Sequence, residues 1–191
     1  CLYDAMQMVG REMSVEEVLA EVEKDKIFYD QSGGGVTLSG GDPFVQSAFA
    51  EALLDGCRAR GIPAAVDTAG FSKNGVLDRV ASKADLILYD LKCMDDARHK
   101  EFAGVSNAPI IDNLKRLAAG RTEVWVRIPL VPGVNDDAEN IAATGGFAAS
   151  LPGVERIDIL PYNRGGNEKA RRFGTTIDLM QAETPNEQRM N

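Results

Sequence analysis

Five short apolar runs, separated by stretches with helical spacing, constrain this chain more than any other feature. They fall at residues 36–39, 64–68, 86–91, 124–128 and 156–160, and most are closed by glycine or proline. Continuous apolar runs of this length read as strands buried on both faces. Between them lie helical segments with recognisable ends. Ser14 and Glu17 form a capping box ahead of Val15, Val18, Leu19 and Val22, which predicts a helix over 14–28. Pro43 opens a helix to about Arg60. Further helices are predicted near 74–82 and 108–119, and from Asp136 or Asp137 to about Ser150. The alternation predicts an α/β fold of about five parallel strands covered by helices, either barrel-like or doubly wound. At 191 residues the chain fits one domain with a sizeable core.

Charge narrows the functions open to such a fold. With 29 acidic against 21 basic side chains the formal charge is −8, and the isoelectric point is about 4.8. Neither nucleic acid nor an anionic membrane surface is an expected partner, because both require a basic patch. No apolar run is long enough to span a bilayer. Cys1, Cys57 and Cys93 are too few and too scattered for a disulfide framework, which predicts a reducing, cytoplasmic setting. The chain opens at Cys1 rather than methionine, and Thr184-Pro185-Asn186-Glu187 reads as a helix start just ahead of Asn191. Both features predict a piece of a longer protein.

In parallel α/β folds ligands sit at the carboxyl ends of the strands. Each predicted strand delivers polar groups there: Gly40, Gly41 and Asp42 after the first, Asp67 and Thr68 on the second, Asp90 and Lys92 on the third, Arg127 on the fourth, Tyr162 and Asn163 after the fifth. A carboxylate among apolar residues must find a cation or a donor. Acids and bases on one rim suit a zwitterion, with carboxylates for its ammonium and Lys92 or Arg127 for its carboxylate. Structural ion pairs at strand ends are the plain alternative.

The same residues carry a family resemblance. Ser39-Gly40-Gly41-Asp42-Pro43 resembles the Gly-Gly-Glu-Pro motif of radical S-adenosylmethionine enzymes. Asp67-Thr68-Ala69-Gly70-Phe71, Asp90-Leu91-Lys92-Cys93-Met94-Asp95, Gly104-Val105-Ser106-Asn107, residues 126–136 and Leu160-Pro161-Tyr162-Asn163 follow in the order found in glycyl-radical-enzyme activating enzymes of the pyruvate formate-lyase activating kind. The resemblance covers nearly the whole chain. It implies a partial (β/α) barrel whose first, cluster-bearing strand is not in this sequence. It also implies a [4Fe–4S] cluster that reductively cleaves S-adenosylmethionine to a 5′-deoxyadenosyl radical, which takes hydrogen from a glycine of a partner enzyme. A low-potential donor such as flavodoxin or ferredoxin is the implied reductant. By position, Gly40, Gly41 and Asp42 would meet the methionyl ammonium. Asp67, Thr68 and Asp90 would line the site, around a monovalent cation. Leu91 and Lys92 would lie at the methionyl carboxylate, Arg127 at the methionyl or ribose part, and Asn163 beside the cofactor.

The sequence departs from the family pattern in three ways. The Cys-x3-Cys-x2-Cys cluster motif is absent, so this chain by itself is expected to be inactive. Asp42 replaces the usual Glu, and Asn163 stands where the type member has a His. The stretch from Cys1 to about Met13 resembles the tail of a ferredoxin-like insert, with Cys1 as the last ligand of an auxiliary [4Fe–4S] cluster. That divides the chain into an insert tail at 1–13 and a radical S-adenosylmethionine core at 14–191, incomplete at both ends. Two rival functions are a barrel lyase using Lys92 as a Schiff-base amine and a non-catalytic S-adenosylmethionine-binding relic. Among the other residues, Cys57 reads as a small buried hydrophobe and Cys93 as structural. His99 reads as a surface or helix-end residue, and Trp125 as packing toward the helices. Lys169, Arg171 and Arg172 read as a solvated basic run.

Overall fold

A computed structural model describes residues 10–73 and 75–162. Helix α1 (Val15–Glu23) and helix α2 (Lys26–Ser32) lead into β1 (Val36–Leu38). A 3₁₀ turn at Pro43–Gln46, helix α3 (Ser47–Ala59), β2 (Ala64–Thr68), α4 (Val76–Ala81) and β3 (Leu86–Asp90) follow. The described part closes with α5 (Asp96–Ala103), α6 (Ala108–Ala118), β4 (Glu123–Leu130), α7 (Ala138–Ala149) and β5 (Val154–Pro161). The sheet is wholly parallel, and its strand order is the sequence order, β1-β2-β3-β4-β5. Successive crossovers of one hand in one direction place the connecting helices on one face. That decides for a barrel-like arrangement over a doubly wound sheet, which needs a reversal of strand order.

The helix-covered face holds the core. Val66, Ile87, Tyr89, Val124, Val126 and Ile128 are almost fully buried there, against Leu54, Leu77, Val80 and Leu114. The Tyr89 hydroxyl donates to the Ile110 carbonyl at 2.6 Å, which satisfies the one polar atom of the largest buried side chain. Burial pushes that phenol far above its ordinary value. Gly70 is required beside it: its φ is +72°, and a Cβ there would come within 1.8 Å of the Tyr89 oxygen.

Several element boundaries differ from the sequence expectation. The predicted helix 14–28 breaks after Glu23, because the apolar spacing ends at Val22 and residues 23–26 offer nothing to bury. The capping box at Ser14 is present, with the Ser14 amide donating to Glu17 Oε2 at 2.7 Å. Helix α5 was not predicted. Asp95 caps it by accepting from the Arg98 amide at 2.7 Å, and Gly104 ends it in the left-handed region at φ +74°. Strand β4 runs through Pro129 to Leu130 instead of stopping there. The pairing of β3 with β4 ends at Asp90 and Arg127, and the Leu91 amide donates to the Arg127 carbonyl. The missing Pro129 amide therefore faces a side from which the neighbouring strand has departed. Strand β5 likewise includes Pro161, at its end.

Two side chains lie elsewhere than expected. His99 is 4% exposed rather than at the surface, because it turns inward to reach the Val105 carbonyl. Trp125 does not pack toward the helices. Strand alternation places it with Arg127 on the opposite face, where the Arg156 guanidinium stacks over its ring at 4.6 Å. Cys57 and Cys93 are both buried free thiols, and burial raises the pKa of each.

Candidate functional site

The face of the sheet away from the helices carries Asp67, Asp90, Trp125 and Arg127, and no described element covers it. Three of these converge at the carboxyl ends of β2, β3 and β4. Arg127 Nε donates to Asp90 Oδ1 at 2.8 Å, and Nη2 donates to Asp67 Oδ1. Asp90 and Arg127 are register partners, while Asp67 reaches the same guanidinium from one strand further away. Ser39 Oγ adds a donor to Asp67 Oδ2 at 3.3 Å. Burial raises the Asp90 pKa, against the hydrogen bond and charge of Arg127 and the charge of Lys92. For Arg127, burial opposes the charge, but the bonds and charges of Asp90 and Asp67 prevail and the pKa rises. Two carboxylates on one guanidinium leave this group with a net negative charge.

Asp42 does not join that group. Its Oδ1 accepts from the Phe44 amide at 3.1 Å, and Oδ2 accepts from Thr68 Oγ1 at 2.9 Å and the Ala69 amide at 3.2 Å. Asp42 therefore closes the 3₁₀ turn and ties the loop after β1 to the loop after β2. Thr68 is 2% exposed on the helix side, where its hydroxyl also accepts from the Gly70 amide. Its side chain thus points away from Asp67 and Asp90. Gly40 and Gly41 have open space where a Cβ would stand. They line one end of a cavity of about 400 Å³ at the edge strand, and its walls are mainly apolar side chains of α1 and α3 such as Val18, Val22, Phe49 and Leu53.

Lys92 stands exposed just beyond β3, without an ion-pair partner among the described residues. Leu91 beside it is buried in the core, so only its main chain belongs to the rim. The position of Lys92 is fixed by a residue that sequence reasoning missed. Asn135, 3% exposed, donates through Nδ2 to the Lys92 carbonyl at 2.5 Å and the Pro129 carbonyl at 2.8 Å. Its Oδ1 accepts from the Val131 amide at 2.7 Å. Asn140 supports it, donating to the Asn135 carbonyl and accepting from the Met94 amide. An asparagine directly after a Pro-Gly turn was the available signal. Asn163 and Cys1 lie outside the described residues.

The charges on the open face suit a zwitterion such as S-adenosylmethionine: an ammonium on Lys92 without an ion-pair partner among the described residues, and a net-negative carboxylate group. The described residues do not fit an iron–sulfur cluster. Cys57 and Cys93 are single buried thiols, and among the described residues no three His, Cys, Asp or Glu side chains gather into a metal site. No described helix is long and apolar enough to cross a membrane.

A wholly parallel sheet wound in one direction, with charged side chains toward its carboxyl ends, is the architecture of a partial (β/α) barrel with its ligand site on that rim. The radical SAM superfamily model matches residues 1–144. The chain is 38% identical over 189 residues to the trans-4-hydroxy-L-proline dehydratase activating enzyme of Clostridioides difficile, covering 98% of this chain and 63% of that protein. It is 35% identical over 183 residues to the pyruvate formate-lyase 1-activating enzyme of Escherichia coli K12, covering 95% and 74%. The crystal structure of a domain of pyruvate-formate lyase-activating enzyme from Bacteroides vulgatus superposes with a TM-score of 0.67 at 36% identity, over 82% of this chain and 88% of that one. The chain belongs to the radical SAM superfamily and, within it, to the glycyl-radical-enzyme activating enzymes. It spans 55 to 63% of the length of several of its dehydratase- and lyase-activating relatives.

Proposed function

We propose that this chain is the S-adenosylmethionine-binding core of an activase for a glycyl radical enzyme. The observation that carries the reading is the division of charge at the rim. Arg127 is engaged by Asp67 and Asp90, whereas Lys92 has no ion-pair partner among the described residues.

Lys92 holds the methionyl carboxylate. The Asp67–Arg127–Asp90 group, short of one positive charge, receives the methionyl ammonium or a monovalent cation. Gly40 and Gly41 present main chain to the same end of the ligand. Asp42 acts one step back, holding those glycines in place through Thr68 and Ala69. When bound, the sulfonium supplies a carbon–sulfur bond whose one-electron cleavage gives methionine and a carbon radical able to take hydrogen from glycine. The described residues offer no thiol set for the cluster, so its ligands, and any auxiliary cluster held through Cys1, would lie outside them, and a low-potential donor such as flavodoxin or ferredoxin would supply the electron. The Schiff-base reading is disfavoured by the exposure of Lys92, which lacks the apolar enclosure that activates such an amine.

The test is anaerobic turnover of the full-length protein with a low-potential reductant. The expected result is methionine and 5′-deoxyadenosine in equal amounts, with a glycyl radical signal on the partner. Tight S-adenosylmethionine binding by the iron-free full-length protein would favour the relic instead.

A further inference from the structure

The chain leaves the sheet after Asp90, yet Leu91 and Cys93 just beyond it are buried. Main-chain groups there need hydrogen-bond partners. The Leu91 amide donates to the Arg127 carbonyl at 2.9 Å. Past that point the partners are asparagine side chains from other elements. Asn135 Nδ2 donates to the Lys92 carbonyl, and Asn140 Oδ1 accepts from the Met94 amide at 3.1 Å. Asn107 Nδ2 donates to the Cys93 carbonyl at 3.0 Å and to the Met94 carbonyl at 2.8 Å. Each peptide unit is planar, so these bonds pin every unit from Lys92 to Asp95.

Asn107 is the unexpected member. It stands at the N-cap of α6, where an asparagine side chain ordinarily accepts from an amide of the first helical turn. Here it makes no such bond. The side chain is 3% exposed and its amide is spent on the segment that carries Lys92. Helix α5 holds it in that position. Asp96 Oδ1 accepts from the Asn107 amide at 2.9 Å and from Ser106 Oγ at 2.6 Å, and His99 Nδ1 lies 2.7 Å from the Val105 carbonyl oxygen.

The pinned stretch joins the two signs of charge at the rim. Arg127 holds Asp90 by its side chain and Leu91 by its carbonyl, and the asparagines hold residues 92–94. In an amino-acid zwitterion the ammonium and the carboxylate hang on one carbon. A site that grips both needs its own groups at a fixed separation.

We propose that Asn107, together with Asn140, is a positioning residue for Lys92, setting the main chain of residues 92–94 before a ligand arrives. The inference rests on the reading that Lys92 holds the methionyl carboxylate.

Binding of S-adenosylmethionine and of its decarboxylated form is measured on the full-length, cluster-loaded protein. We expect Asn107→Ala to weaken S-adenosylmethionine binding about fivefold, less than loss of Lys92 itself, because the lysine stem absorbs small displacements of its Cα. The decarboxylated form should bind Asn107→Ala and the unmodified protein alike. In a Lys92→Met background, Asn107→Ala should add no further loss. Equal weakening of both ligands, or a loss that persists without Lys92, would make Asn107 a merely structural residue and overturn the proposal. Asn140→Ala should repeat the pattern. Hydrogen exchange on the unmodified, ligand-free protein keeps the test decisive should either variant fail to fold. The Met94 amide should there exchange at least about a hundredfold more slowly than an unstructured one. Unprotected exchange would mean that the segment is not held in advance, which also overturns the proposal. If Lys92→Met leaves S-adenosylmethionine affinity unchanged, the carboxylate reading of Lys92 fails. If Lys92→Met weakens binding and Asn107→Ala does not, the positioning role alone fails.

Discussion

Arg127 and Asp90 face each other in register across β4 and β3, joined Nε to Oδ1 at 2.8 Å, and the same guanidinium also binds Asp67. One cation therefore holds two carboxylates on a face that no described element covers. Replacing Arg127 with leucine strands both carboxylates, and we expect a loss of about 2 kcal/mol, below the 3–5 kcal/mol of fully buried pairs because these side chains keep about a fifth of their exposure. Adding Asp90→Asn to Arg127→Leu should restore part of that loss. Urea denaturation of the single and double variants measures the coupling. Strict additivity would mean that the pair is not coupled.

Asp42 and Thr68 are joined at 2.9 Å between loops that follow different strands. Asp42→Ala leaves the Phe44 and Ala69 amides and the Thr68 hydroxyl without their acceptor. The expected cost is about 1–3 kcal/mol, a Tm drop of about 2–4 °C per kcal/mol in a chain of this size. Thr68→Val should cost less after Asp42→Ala than before it. If S-adenosylmethionine affinity falls in step with stability across this pair, Asp42 acts through the loops rather than by direct contact.

Much of this arrangement was legible in the sequence, and what was missed has physical reasons. The five strands were recognisable because apolar runs end at turn-forming residues, and Asp67, Asp90 and Arg127 stood out as the charged residues within them, with Lys92 just beyond β3. Arg127 on the open face also requires Trp125 to be there, since strand side chains alternate. Helix α5 lacks an apolar stripe, so only Asp95 and Gly104 marked its ends. The inward turn of His99 depends on the Val105 carbonyl six residues on. The Asp42–Thr68 and Asn135–Lys92 bonds join residues 26 and 43 positions apart, which no local pattern reveals.

Asp96 gives the clearest pH dependence. Hydrogen bonds from Lys100 and Ser106, then the Asn107 amide, hold its carboxyl down at about 2. A carboxyl with a depressed folded-state pKa contributes stability that is present above its ordinary value of about 4 and lost as pH falls through the folded value. The wild type should therefore exceed Asp96→Asn in stability at neutral pH, with the difference shrinking between about pH 4 and pH 2. Denaturant midpoints across that range check it. A pH-independent difference would assign the effect to lost packing.

Asn135 acts on Lys92 through the main chain. Asn135→Leu leaves two carbonyls and one amide unpaired in a buried position, and the expected cost is about 3 kcal/mol. Asn135→Asp keeps the acceptor for Val131 but turns two donated bonds into repulsion with the Lys92 and Pro129 carbonyls. Both variants should raise the KM for S-adenosylmethionine more than they lower kcat in the full-length enzyme. An effect on kcat alone would detach Asn135 from ligand positioning.

Lys92 offers the sharpest separation of fold from function. Its side chain is exposed and has no ion-pair partner among the described residues, so Lys92→Met should change stability by no more than about 0.5 kcal/mol. A charge-assisted bond to a carboxylate contributes about 1.5–3 kcal/mol, which corresponds to a tenfold to hundredfold loss of S-adenosylmethionine affinity. Decarboxylated S-adenosylmethionine lacks the group that Lys92 would hold. It should bind the wild type and Lys92→Met about equally in the full-length, cluster-loaded protein. Should the decarboxylated ligand instead lose as much affinity as the intact one on Lys92→Met, the ammonium serves some other part of the ligand, and the assignment of the methionyl carboxylate passes to a different residue.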